Sequence, residues 1–404
     1  PLQVVCQLHF QNHYNFDMCW PSSDERRHLL TKDPARSSRN EQLIQVGNAN
    51  EDGNSTENPS LLTKSLVVSL YVLTGCTQPL LMTLLRTAGL TDPSCQLYMM
   101  FYYFGPASAI LVLWSRDNIL WPSKTVIVKA CGISCWDIAA QTLNYTGASL
   151  AGPAIFAIVY ASVTIWAALF SQAFLGRRMN FYQWMAVFMV FMGLALTAVN
   201  SEVIGPGVMH GLLMVVFGTV MHGLFYVMSE AVMTKGEERL SVEQNCAVQG
   251  LTASASFLAW QFVYTLPNAD VKLWEPMHRS GTSISMAIGL LLLFSAVSFL
   301  HSITFYFTLR HLSGGATSAG VFKGLQAVLV FVLTHLFYCG RLGGSEMCFS
   351  TIKFVSLATV SVGVLWYGSA TMDKASDTQG VPNQGVIYES VRDESCIEIP
   401  GESV

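Results

Sequence analysis

"AIGLLLLFSAVSFL", residues 287 to 300, has no charged side chain and no polar face. A membrane-spanning strand would alternate apolar and polar residues over about ten positions, and a helix at a protein surface would keep a polar stripe. This run does neither, so it reads as a helix with apolar surroundings on every side. Its block, 284 to 309, exceeds the roughly twenty residues that a helix needs to cross about 30 Å of hydrocarbon. Nine blocks like it lie near 64 to 85, 96 to 114, 125 to 144, 151 to 174, 181 to 199, 207 to 231, 246 to 266, 316 to 338 and 351 to 370. The bulk composition agrees: the 404 residues are 51% hydrophobic and 12% charged, with mean hydropathy +0.42. Soluble domains spend about 25% of their residues on Asp, Glu, Lys and Arg. The expected fold class is an all-α membrane protein with ten transmembrane helices. The limits that go with it are a polar N-terminal tail over 1–63, five helices over 64–199, five more over 200–370, and a polar C-terminal tail over 371–404.

Charge at the span ends sets the expected orientation, because short cytosolic loops keep more Lys and Arg. With the N-terminus in the cytosol, the inner loops hold Arg116, Lys124, Arg177, Arg178, Lys235, Arg239 and Arg310, against Arg86, Lys272, Arg279 and Arg341 outside. Both termini are therefore expected in the cytosol. Ten spans with both ends on one side require two five-helix halves inverted relative to each other. The halves echo one another: "TGASLAGPAIF" (146 to 156) against "LSGGATSAGVF" (312 to 322), and the turns "FLGRR" (174 to 178) against "YCGR" (338 to 341). The closing span of each half carries a glycine, Gly193 or Gly363.

Five charged residues fall inside the blocks: Lys129, Asp137, Glu230, Lys323 and Lys353. A charge near the bilayer centre costs at least about 2.5 kcal/mol, so such a residue faces a cavity, a partner or an aqueous path. Lys129 and Lys353 lie near block ends and reach the interface by extending their stems. Asp137, in "CWDIAAQTLNY" (135 to 145), lies about twelve residues into its block, roughly 18 Å along a helix axis, too deep to reach water. It is a candidate for a gating ion pair, a proton site or a counter-charge to substrate. A carboxyl bonded to neighbouring helices to fix their packing is the structural alternative. Lys323, in "GVFKGLQAVL" (320 to 329), is flanked by Gly320 and Gly324, where a backbone or ligand can come close, and Gln326 shares its helix face. That pair is a candidate for binding a phosphate, carboxylate or carbonyl, with snorkelling of Lys323 as the alternative. His222, Tyr226 and Glu230 follow one another at four-residue spacing on one face. They are a candidate cavity lining or proton relay, although Glu230 lies near the cytosolic end, where solvent would reach it.

The run "LAGPAIFAIVYASVTIWAALFSQAFLGRRMNFYQWMAVFMVFMGLALTAV" (150 to 199) resembles the drug/metabolite transporter superfamily. The shared order is a small-residue helix start, a long apolar fourth span, a Leu-Gly-Arg turn and a glycine-bearing fifth span. Within the superfamily the chain is similar to solute carrier family 35, on its nucleotide-sugar side and F-type branch, through Asp137 ahead of Leu143 and Tyr145. The resemblance covers all ten spans in layout, and residues 135–199 and 312–370 in motif. It implies two inverted five-helix repeats around a central cavity lined by the third, fourth, eighth and ninth spans. It also implies secondary transport of a small polar organic metabolite, with nucleotide sugars among the candidates. F-type relatives carry an arginine sixteen residues before the glycine of the turn; here that position is Tyr160, and the same count back from Gly340 gives Gly324, beside Lys323. The substrate contacts that follow are Asp137, Tyr160, Lys323 and Gln326.

Neither tail carries the apolar residues to pack a core, and both are expected to be disordered. "DERRHLL" (24 to 30), with Glu25, Leu29 and Leu30, has the form of an acidic dileucine sorting signal, and "YESV" (388 to 391), with Tyr388 and Val391, that of a tyrosine-based one. Solvated tail is the bland reading of both. If read by sorting adaptors, they direct the protein to an endomembrane: endosomal, lysosomal, vacuolar or Golgi. The other expected partners are the lipid bilayer and a small-molecule substrate, with a homodimer allowed. No basic stripe with interleaved aromatics accompanies the net charge of -4, so no nucleic acid is expected. HExxH and GxxxxGK[ST] are absent and the ten cysteines contain no CxxC pair. Neither an enzyme, a cofactor nor a metal site is therefore expected, while a Cys339 to Cys348 bridge on the outer side is allowed. Transport without a nucleotide-binding loop is expected to run on a gradient or by exchange. The competing reading is a non-transporting membrane receptor or scaffold that recruits partners through its tails.

Overall fold

A computed structural model describes residues 59–116, 119–151, 159–160, 162–196, 206–340, 348 and 351–379. Among them the chain is helical and contains no strand. α1 (Leu61–Thr87) starts where the Ser60 hydroxyl accepts from the Thr63 backbone N–H, satisfying one of the free donors at a helix start. α2 (Leu97–Ala107) and α3 (Ala109–Trp114) form one interrupted span, broken at Ser108 just after Pro106, which has no N–H to give the helix. α4 (Lys124–Ala151), α5 (Val163–Leu175), α6 (Phe181–Ala195) and α7 (Pro206–Thr234) follow. α8 (Val242–Trp260) opens with reciprocal bonds between Ser241 and Gln244. It runs on through turns of wider and tighter pitch, Gln261–Thr265, Leu266–Asn268 and Asp270–Trp274, into the short α9 (Glu275–Arg279). α10 (Ile284–His311), α11 (Gly315–Tyr338) and α12 (Thr351–Gln379) complete the described helices.

Among the described residues, six helical segments are long and apolar enough to cross a membrane: α1, α2 with α3 as Leu97–Trp114, Lys124–Gly147 of α4, Met209–Thr234 of α7, α10 and α11. Val163–Leu175, Phe181–Gly193 and Phe354–Ala370 are shorter apolar helices. Four boundaries differ from those read in the sequence. The 125–144 block continues as helix to Ala151. The 96–114 block is bent at Ser108. The 246–266 block loses regular pitch past Trp260, where Pro267 can no longer supply an N–H to the ladder. α12 runs to Gln379, into the segment expected as tail, because extending a formed helix gains one hydrogen bond for each residue fixed.

The loops gather at two ends of the bundle. At one end, Lys235 donates to the Phe174 carbonyl (3.1 Å), Gln244 to that of Leu120 (2.9 Å) and Arg310 to that of Leu240 (3.1 Å). At the other, Trp260 donates to the Ser94 carbonyl (3.0 Å), and Gln261 and Thr265 to that of Cys95 (2.9 and 2.8 Å). α4 lies along α7, α1 along α10, α2 along α8 and α6 along α12. The α6–α12 contact is reciprocal: a Cβ on Gly193 would stand 2.8 Å from Val360 Cγ2, and one on Gly363 2.9 Å from Val190 Cγ2. Each glycine faces the valine that lies three residues before the other. The turns after α5 and α11 also match, since Gly176 and Gly340 share φ +69°, a left-handed conformation that glycine adopts without strain. The allowed bridge is present, with Cys339 disulfide-bonded to Cys348 across nine residues of sequence.

Candidate functional site

Between the two ends, side chains from α2, α4, α7, α8, α10 and α11 enclose a cavity of about 50 Å³. At roughly 10–15 Å³ for each water, it has room for a few waters and none for an organic metabolite. Asp137, on α4, is 6% exposed. Its Oδ2 accepts from the Tyr103 hydroxyl of α2 (2.7 Å), and its Oδ1 stands 3.0 Å from His222 Nδ1 on α7. Both carboxylate oxygens are thus bonded from neighbouring helices, as a buried carboxylate requires. His222 is held in turn by rings, at 4.9 Å from Tyr226, 5.3 Å from Phe225 and 5.7 Å from Tyr160 between centroids.

Across the cavity Lys323, half-buried on α11, places its ammonium 3.5 Å from His301 Nε2 on α10. The other ring nitrogen, Nδ1, lies 3.1 Å from Thr74 Oγ1 on α1. The Thr74 hydroxyl already donates to the Leu70 carbonyl at 2.8 Å, so it accepts from His301 Nδ1–H and leaves Nε2 as an acceptor for the ammonium. Tyr71 stacks on His301, centroids 4.9 Å apart. A third polar node lies on α8: Gln249 Oε1 accepts from the Tyr306 hydroxyl (3.0 Å), its Nε2 donates to Ser229 (3.2 Å) and Asn245 (2.7 Å), and its carbonyl accepts from Ser134 (2.8 Å).

Of the residues read from the sequence, Asp137, Tyr160, His222, Tyr226 and Lys323 line this cavity. Gln326 does not. It is turned toward α1, where its amide donates to the Tyr71 carbonyl at 2.9 Å and fills the space above Gly75. Gln326 and Lys323 start from one broad helix face, but at 100° per residue that face reaches both the α1 seam and the cavity. Glu230 also departs from its expected place. It is neither solvated nor in the cavity: 1% exposed, it pairs with Arg177 and accepts from the Ala316 backbone N–H at 2.6 Å. It thereby clamps the turn after α5 and the start of α11 onto the end of α7, a carboxylate at a helix N-terminus where the backbone dipole favours it. Asp137 and Lys323 do not pair with each other; each takes an imidazole instead.

Lys129 is exposed, as a snorkelling lysine should be. Glu25, Leu29, Leu30, Tyr388 and Val391 lie outside the described residues. His335, Cys339 and Cys348 bring one nitrogen and two sulfurs within 4.8 Å of one another, but the sulfurs are joined in the disulfide and offer no thiolate to a metal. His301, Thr74, Tyr103 and Gln249 were not singled out from the sequence. The rule that drew attention to His222, a polar side chain deep in an apolar block, applies equally to His301 in "SFLHSITFY" (298 to 306) and to Gln249.

Outside the spans, the loop after α1 is organised by Asp92. Burial pushes its carboxyl up, but bonds from the Ser94 hydroxyl and backbone N–H and from the Cys95 N–H, with Lys272 at 3.5 Å, outweigh that and hold it below the usual carboxylate range.

Residues 72–199 match the EamA-like transporter family. The chain carries an EamA-like transporter domain. That family is part of the drug/metabolite transporter superfamily, and its members are transporters of small solutes; the long apolar helices described above are those of a multi-pass membrane protein. The EamA-like domain holds Tyr103, Asp137 and Tyr160; His222, His301 and Lys323 come from beyond it. No curated protein sequence matches the chain. A solved structure described only as a crystal structure of a protein is similar over 78% of this chain and 99% of its own, with TM-score 0.57 and 15% identity. At that identity the likeness speaks for the fold.

Proposed function

We propose that the chain is a ten-span secondary carrier of two inverted five-helix halves, moving a small polar organic metabolite with an anionic group through the cavity between them. The observation that carries this reading is the cavity's own make-up: a small space among the helices, lined by polar and aromatic side chains, that contains an ammonium, Lys323, 3.5 Å from an imidazole nitrogen. Such a cation is costly within a bilayer unless an anion or water compensates it part of the time. Asp137 and Tyr160 are the other substrate contacts in the reading. Gln326 enters it only as a brace for α1 and α11.

Packing supports the two halves. Exchanging the first five spans for the last five turns α4 against α7 into α10 against α1, α4 against α8 into α10 against α2, and α5 against α7 into α11 against α1; all six contacts occur. α2 against α8 and α6 against α12 map onto themselves, the latter with the reciprocal glycines described above. The polar nodes obey the same exchange, since Asp137 on α4 meets His222 on α7 while His301 on α10 meets Thr74 on α1. The family match ends at residue 199, where the first half is expected to end. With both ends laced and the cavity this small, substrate enters only when one half rocks against the other and opens one end. Nucleotide sugars, the F-type branch, an endomembrane address with cytosolic termini, sorting adaptors and a homodimer all come to the reading from the sequence alone.

The test is uptake by purified protein in liposomes, with candidate anionic metabolites first screened by the rise in thermal midpoint that a ligand of the folded state produces. Lys323→Ala and Asp137→Asn are expected to abolish uptake while leaving expression and melting near wild type. Wild-type rates in both variants would remove the site assignment.

A further inference from the structure

We propose that the Asp137–His222 pair binds and releases one proton in each transport cycle, so that the chain is a proton-coupled carrier. This rests on the carrier reading above and names its coupling ion. The pair sits in the wall of the cavity, and among the described residues its carboxylate is bonded by an imidazole and a phenol. In the structure's arrangement His222 donates Nδ1–H to Asp137 Oδ1. Nε2 is then the basic nitrogen, and a proton arriving there turns an anionic pair into a neutral imidazolium–carboxylate pair. No covalent bond changes; the proton comes from the aqueous side to which the cavity is open and leaves to the other.

Most of the groups that face the pair are phenols and amides, which keep their protons in the neutral range. From α2 it faces the phenols of Tyr102 and Tyr103, from its own helix Tyr145, from the segment before α5 Tyr160, from α7 Tyr226 and from α10 Tyr306. Phenols ordinarily keep their protons to about pH 10. α8 offers the amide of Gln249, which does not titrate. The remaining charged or imidazole groups are His301 and Lys323, which face one another across the cavity from the pair. Lys323 supplies the reason for coupling. With the pair deprotonated the cavity holds one negative and one positive charge, and an anionic substrate group at Lys323 would leave an unbalanced negative charge in a low-dielectric interior. A proton on the pair removes that imbalance. Substrate and proton therefore favour each other's binding, and by linkage the effect is mutual.

The proton itself is the probe. Proteoliposomes of the full chain are adsorbed on a solid-supported electrode and stepped from about pH 8 to about pH 6, across the ordinary imidazole range. Wild-type protein is expected to give a transient charge displacement above protein-free liposomes without any substrate, and the exposed-site control Glu275→Gln the same. Asp137→Asn and His222→Gln are expected to fall to the protein-free level. Should either variant fail to fold, Tyr103→Phe serves, since it deletes only the donor to Oδ2. Loss of a donor to the charged carboxylate favours its protonation, so the displacement midpoint should move to higher pH. No displacement in wild type, an undiminished one in folded Asp137→Asn and His222→Gln, or an unmoved midpoint in Tyr103→Phe would each overturn the proposal. Solute uptake without proton displacement defeats the proton site alone, whereas proton displacement with no uptake of any solute defeats the carrier reading.

Discussion

A single residue shows how depth decides chemistry. Asp137 and Asp92 are both carboxylates held by hydroxyl donors, yet one is placed among spans and the other in a loop that water reaches. The loop residue gives a direct test. Its carboxyl is held below the usual range, so its contribution to stability is complete above the ordinary value of about 3.9 and is lost as the pH falls through the lower folded value. Asp92→Asn is accordingly expected to lower the melting temperature in detergent at neutral pH, with the gap to wild type closing in acid. A gap that stays constant down to full carboxylate protonation would mean that the Ser94, Cys95 and Lys272 bonds do not carry the effect. Asp137 was legible from its position in an apolar block. That its partners are His222 and Tyr103 was not, because they lie 85 and 34 residues away in sequence. His301 went unremarked for the same reason: its meaning comes from Lys323 and Thr74, which other helices bring to it.

Among the elements, α11 is the one on which most depends. Its N-terminus is held by Glu230, its middle carries Lys323 into the cavity, its Gln326 locks it to α1, and its end is tied by Cys339 to Cys348. The four-residue spacing of His222, Tyr226 and Glu230 was readable as one stripe, but the stripe is divided by depth: two members reach the cavity and the third reaches the laced end of the bundle. Glu230→Ala leaves Arg177 unpaired and the Ala316 N–H without its acceptor. The expected loss is about 3 kcal/mol, the low end for breaking a buried pair because Arg177 keeps contact with solvent. Arg177→Ala added to it should cost little more, as the two act as one unit. Glu230→Gln, which can still accept from Ala316, should lie between. Fully additive losses in denaturant titrations of Glu230→Ala, Arg177→Ala and the double variant would show that the clamp is not a unit. If α11 must leave this clamp for the cavity to open, the same variants should also speed solute exchange relative to their stability.

At the scale of the whole molecule, the proposed pseudo-twofold relation makes a prediction that no single helix could. Gly193 and Gly363 stand in equivalent places of one interface, each against the other's valine. Gly193→Val and Gly363→Val should therefore destabilise alike, each by about 1–3 kcal/mol, the usual cost of overpacking a filled contact. Losses differing by more than about threefold would argue against equivalence of the two sites. Hydropathy, span length, the charges at block ends and the depth of Asp137 and Lys323 were present in the sequence, because each depends only on how one segment meets lipid and water. Helical class and membrane embedding followed from them, whereas the likeness of residues 150–199 to known transporters rested on the order of its motifs. Which charge faces which imidazole, and that Gln326 and Glu230 serve packing and clamping, were decided by the tertiary structure. Those outcomes depend on the angles at which helices far apart in sequence cross, and a side chain's partner is set by that crossing rather than by its neighbours along the chain.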